Sequence, residues 1–189
     1  MKAAGWAKLR HAKISGDAER IKKCASDSIS FCDSEDRLVY MLKAIADQPP
    51  EIFWPLWLDH WSAIDHCADL HWHVHNVLKS KGSAQPYLDE ESMARFLALP
   101  KTVTVYRGCD REHIDGVAWT TSKQVAGYFA TGGRYGRPDD PVIATGKIEK
   151  CSPDFFFPSG SEQGEQEIVC SPKVIRVEEY TGPFVGEAA

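Results

Sequence analysis

Apolar residues recur at helical spacing between residues 35 and 99, and from residue 101 onward they fall into short β-branched and aromatic runs broken by Gly and Pro. Asp36 to Ala46 places Leu38, Val39, Met41, Leu42 and Ile45 on one broad face, with Asp33 or Ser34 as N-cap and Pro49-Pro50 as the stop. A second helix is predicted from Leu56 to Leu78, ended by Lys81-Gly82-Ser83, and a third from Glu90 to Leu97, capped by Asp89. The strand candidates are Thr102 to Tyr106, Val117 to Thr120, Val142 to Ile148, Glu167 to Cys170 and Val174 to Glu178. One helix interrupts them, with Ser122 as N-cap and Val125, Ala126, Tyr128 and Phe129 turned inward. The pattern predicts an α+β fold: a helical lobe over 1–100 and a β-rich region over 101–189, together one integrated domain.

Charge is unevenly spread beneath the overall net of −5. Residues 1–24 carry a net +5, residues 25–99 a net −7 and residues 100–189 a net −3. The leader (Lys2, Lys8, Arg10, Lys13, Arg20, Lys22, Lys23) lacks the apolar core of a secretory signal. It reads as one basic amphipathic helix, either solvated or lying on an acidic surface. With no long apolar run, a cytoplasmic protein without a membrane partner is expected. The six cysteines never approach a C-x-x-C spacing, which leaves thiols that are buried or incidental.

Three segments carry candidate chemistry. Arg107 ends a strand immediately before Gly108; a fixed guanidinium there suits a phosphate or carboxylate ligand, or equally an ion pair within the fold. Thr120-Thr121-Ser122 runs from a strand into a helix start, where three hydroxyls and free N–H groups form a polar corner, although plain capping accounts for Ser122 as well. Glu165-Gln166-Glu167 opens a late strand; in extended chain, residues two apart share a face, about 6–7 Å apart at their backbones, so both carboxylates project together unless this is only a solvated edge.

Taken in order, these segments resemble the R-S-E class of mono-ADP-ribosyltransferases, the cholera-toxin-like and arginine-modifying clade, over about Lys101 to Val177. The resemblance implies a split β-sandwich preceded by a helical lobe. It implies that Arg107 holds the phosphates and ribose of NAD, the substrate, and that the Gly108 backbone binds the nicotinamide amide. Thr120, Thr121 and Ser122 would brace the site and orient the catalytic glutamate, which would be Glu167, and Glu165 would be the upstream residue that acts on the acceptor. Gln163-Gly164-Glu165 offers the same motif one step earlier, and the apolar run after Glu167 favours the later register. In the loop Thr131 to Pro138, Arg134 or Arg137 would neutralise the pyrophosphate and Tyr135 would stack on nicotinamide. Ser159 to Gly164 would be the target-recognition loop. An arginine side chain on a protein is the implied acceptor, and a toxin, a phage-type modifier and an injected effector all fit.

Alternatives stay open. A NAD glycohydrolase, or a transferase to a nucleic acid, would use the same Arg107 and Glu167. A non-catalytic module would keep the fold alone. His71 and His75 lie one helical turn apart and could bind a metal, but no H-E-x-x-H pattern accompanies them and the glycosidic chemistry requires none.

Overall fold

The computed structural model describes residues 2–64, 70–132, 138–159 and 166–182 of the 189-residue chain. Two compact units result, Met1–Cys67 and Ala68–Ala189. The division does not fall at residue 100, where residue character changes, because the last helix before the sheet belongs to the sheet's core.

The first unit contains, among the described residues, α1 (Lys2–Ser15), α2 (Ala18–Ser30), α3 (Ser34–Ile45) and α4 (Pro50–Trp61). The basic leader is two helices, not one. Gly16 adopts a φ of 70°, a turn conformation that glycine takes without steric cost. Asp17 then caps α2 by accepting the Arg20 N–H at 3.0 Å. The chain doubles back so that α1 packs on α2, burying Leu9 and Ala12 with Ile21, Ala25 and Ile29 while Lys8, Arg10, Arg20 and Lys23 face solvent.

The helix predicted over Leu56 to Leu78 is likewise interrupted. Pro50 stands at the first turn of α4, where its missing N–H removes no helical bond, and α4 ends at Trp61. The Ala63 carbonyl, which a longer helix would have paired internally, instead accepts from Arg37, whose other nitrogen donates to the Cys32 carbonyl at 3.0 Å. Within α4 the rings of Phe53 and Trp57 stack with centroids 5.1 Å apart, and those of Trp57 and Trp61 5.7 Å apart, an i, i+4, i+8 stripe. His60, on the same helix, is buried with Nε2 3.1 Å from Ser26 Oγ. Burial, assisted by the Arg37 charge and opposed by Asp59, holds its imidazole below the ordinary pKa.

The second unit holds α5 (His71–Ser80), α6 (Glu90–Ala98), β1 (Thr102–Asp110), β2 (Ala118–Thr120), α7 (Lys123–Ala130), β3 (Pro141–Glu149), β4 (Phe155–Ser159), β5 (Glu167–Cys170) and β6 (Lys173–Glu179). Asp89 caps α6 as predicted, accepting the Ser92 N–H. The strands form one six-stranded antiparallel sheet in the order β4-β5-β2-β1-β3-β6. The α+β class therefore holds. In place of two separate sheets there is one ladder with a narrow waist: β1 pairs with β3 along all nine of its residues, and with β2 only at Tyr106 opposite Thr120.

Strand β4 escapes the pattern of alternation because Phe155, Phe156 and Phe157 are all buried. A register shift between Phe155 and Phe157 inserts Phe156 as a bulge, so three consecutive rings find cover. Pro158 fits because β4 is an edge. One sheet face carries Val103 and Val105 of β1, Trp119, Ala144, Ile148, Phe155, Ile168 and Cys170, covered by Phe96 of α6 with Met93 and Leu99. On the other face Tyr106 and Ile143 pack with Ala126 and Ala130 of α7 and with Tyr180.

It is α7's small side that meets the sheet. A Cβ on Gly108 would stand 1.7 Å from the Ala126 carbonyl oxygen and 2.6 Å from the Ala130 nitrogen. The helix backbone rests directly on Gly108, so Tyr128, predicted to turn inward, is 47% exposed. Among the described residues no helix is long and apolar enough to cross a membrane.

Two outcomes follow. Gly108→Ala must displace α7 and is expected to cost about 3 kcal/mol or to abolish folding, read as a lowered urea midpoint. For His60 the pKa is depressed in the folded state, so the unfolded chain takes up a proton first as pH falls. Stability should therefore decline as pH drops through about 6.5 and level off below the folded-state value, and His60→Gln should flatten that slope.

Candidate active site

The register brings the three sequence segments onto adjacent strands. Tyr106 of β1 stands opposite Thr120 of β2, and Thr120 opposite Glu167 of β5. Directly opposed residues in antiparallel strands share a face, so Tyr106, Thr120 and Glu167 form one row across the sheet, on the face that carries α7. Thr120 is buried; Tyr106 and Glu167 are half-buried.

Arg107 does not join that row. One residue along from Tyr106, it projects from the opposite face, with Val103 and Val105. Its Nε donates to the His113 carbonyl at 3.0 Å and a terminal nitrogen donates to the Ala118 carbonyl at 2.6 Å. Gly116 lies flat against it: a Cβ there would come within 2.3 Å of the guanidinium. The Gly116 carbonyl in turn accepts the Trp119 indole N–H at 2.8 Å. Arg107 thus threads the 113–118 segment and ties it to β1. The sequence signal for this role was Gly116, two residues before β2, which alternation and charge did not single out.

The Thr120-Thr121-Ser122 corner divides its hydroxyls among three tasks. Thr120 Oγ1 accepts the Ser122 N–H at 3.0 Å. Ser122 Oγ caps α7 by accepting the Val125 N–H at 3.3 Å, as predicted, and so occupies one of the amide groups that the corner could have offered to an anion. Thr121 reaches across to β5: its N–H donates to the Gln166 carbonyl at 3.2 Å and its hydroxyl donates to Gln166 Oε1 at 3.0 Å.

Gln166 has a φ of 48° and is itself not extended, and β5 begins at Glu167. Glu165 itself, with Arg134, Tyr135 and Arg137 and residues 160–164 of the Ser159 to Gly164 segment, lies outside the described residues. Gly108 lies in β1 opposite Ile143, and its missing side chain is accounted for by α7.

Two thiols flank the site from the core face. Burial pushes both Cys109 and Cys170 above the ordinary thiol range, although the Arg107 charge acts in the other direction on each. Elsewhere in this unit His75, considered with His71 as a metal pair, directs Nε2 toward Asp154 at 3.4 Å, and Lys79 meets the same carboxylate at 2.9 Å; the Lys79 hydrogen bond holds Asp154 below the usual carboxylate range against the opposing effect of burial. Among the described residues no cluster of three metal-ligating groups occurs.

Compared with protein-family models, with curated proteins and with solved structures, the chain matches none.

Because Arg107 donates to two carbonyls inside the fold, its removal is a stability experiment. Arg107→Lys keeps the charge but replaces two spaced donors on a planar fork with a single nitrogen, and should lower stability by about 1–3 kcal/mol in urea titration. An arginine used only to hold a ligand would leave the midpoint unchanged.

Proposed function

We propose that this chain is a mono-ADP-ribosyltransferase, which cleaves NAD at the bond between nicotinamide and ribose and transfers ADP-ribose to a protein side chain, arginine being the acceptor that the sequence favours. The observation that carries this is the row Tyr106, Thr120, Glu167 across three neighbouring strands. Thr120 and Glu167, 47 residues apart in sequence and singled out for their residue types, stand opposite each other on neighbouring strands, which supports reading them as the hydroxyl strand and the glutamate strand of the R-S-E pattern. The narrow waist between β1 and β2 also supports a kinship with a sheet that splits at this position.

Cleavage of a glycosidic bond develops positive charge on the anomeric carbon and ring oxygen. A carboxylate fixed beside that carbon stabilises charge that exists only late in the reaction, which raises rate and not merely affinity. Glu167 is the residue for this task, half-buried and backed by the buried Thr120. Arg107 contributes by holding the strand that carries Thr120, and charge for the pyrophosphate falls to Arg134 or Arg137. The Gly108 backbone would receive the nicotinamide amide.

For an arginine acceptor, the guanidinium stays protonated at pH 7, so attack by the rare neutral form carries a large energetic penalty. A general base acting as the bond forms lowers that penalty, and Glu165 is proposed to supply it.

Incubation with labelled NAD and cell lysate tests this directly. Label should appear on protein with the wild type and vanish with Glu167→Ala, while Glu165→Gln should lose transfer to arginine and keep some NAD hydrolysis. Label on nucleic acid would change the acceptor class, free ADP-ribose alone would make the protein a glycohydrolase, and no NAD consumption would end the enzymatic assignment.

A further inference from the structure

Among the described residues Gln166 is the one non-glycine residue with a positive φ, 48°. That region is unfavourable for a residue with a Cβ and persists where neighbouring structure enforces it. Packing does not enforce it here, since Gln166 is exposed. Thr121 does. Its amide holds the Gln166 carbonyl at 3.2 Å and its hydroxyl holds Gln166 Oε1 at 3.0 Å. Backbone and side chain of one residue are gripped by backbone and side chain of the other.

The location gives this clamp its consequence. Thr121 directly follows Thr120, and Gln166 directly precedes Glu167; the clamp therefore lies one residue beyond the Thr120 and Glu167 register pair. Glycine would take the same backbone angle without strain but would offer no amide oxygen to the threonine. A left-handed residue also redirects the chain as it enters β5, so the angle at which Glu167 leaves the backbone depends on Gln166 staying where Thr121 holds it.

We propose that Gln166 is a positioning residue, locked by Thr121 in a left-handed turn that aims the Glu167 carboxylate. This rests on the transferase assignment for its catalytic meaning, but the clamp itself can be read without it. In NAD cleavage, Thr121→Val and Gln166→Ala should each lower kcat about tenfold with KM for NAD within about twofold, because an aiming error is felt in the transition state and not in ground-state binding. Thr121→Ser, which keeps the hydroxyl, should restore kcat. An unchanged kcat in Thr121→Val, or a loss that simply follows the thermal unfolding midpoint in all variants, would overturn the proposal. Should the wild type not cleave NAD, the transferase assignment fails, and the clamp is judged by ¹³C NMR of the Glu167 carboxyl. That resonance should move in Thr121→Val and return in Thr121→Ser; identical spectra for the three proteins would refute it.

Discussion

Between β1 and β2 the sheet has a single backbone register pair, Tyr106 opposite Thr120, and that joint is held by the guanidinium of Arg107. A lone pair of strand residues gives little resistance to rotation, whereas two charge-assisted bonds from one planar cation to the His113 and Ala118 carbonyls fix both ends of the intervening segment. Gly116 lets that segment lie against the cation, and the Trp119 indole locks the Gly116 carbonyl in place. Everything on the far side of the joint, from the hydroxyl corner to β5 and β4, inherits its position from this arrangement.

On the opposite face a second constraint works through the absence of atoms. Gly108 admits the backbone of α7, and the N-terminus of α7 is the point at which Ser122 caps the helix and the strand of Thr120 ends. Two glycines, 108 and 116, thus let helix and loop approach the same strand from its two sides. Thr120 and Thr121, which follow, are left to meet the glutamate strand.

Much of this could be read in the sequence. Alternation located five of the six strands, and the caps Asp89 and Ser122 were visible from residue type. Thr120 and Glu167, chosen by residue type and motif order, stand opposite each other in the β2–β5 register. What escaped has a physical reason in each case. Phe155 to Phe157 defy alternation because a bulge covers the middle ring. The helix over Leu56 to Leu78 looked continuous since its interruption depends on Arg37, distant in sequence, taking the Ala63 carbonyl. Tyr128 looked buried because helical periodicity reports an apolar face and not how closely that face can approach; the alanines win where the backbone itself is in contact. Arg107 looked like a ligand arm because its residue type is the same whether it grips a phosphate or a carbonyl. In the fold its guanidinium, on the face of β1 away from Tyr106, donates to the His113 and Ala118 carbonyls.

The bulge and proline of β4 bear on how the protein behaves in company. An edge strand presents a row of unpaired donors and acceptors onto which another chain can add, and extended aggregates grow from such edges. Pro158 has no N–H to give, and the bulge at Phe156 twists the row out of line. A foreign strand would therefore meet an interrupted template at this aromatic segment, whose three rings are already buried within the fold.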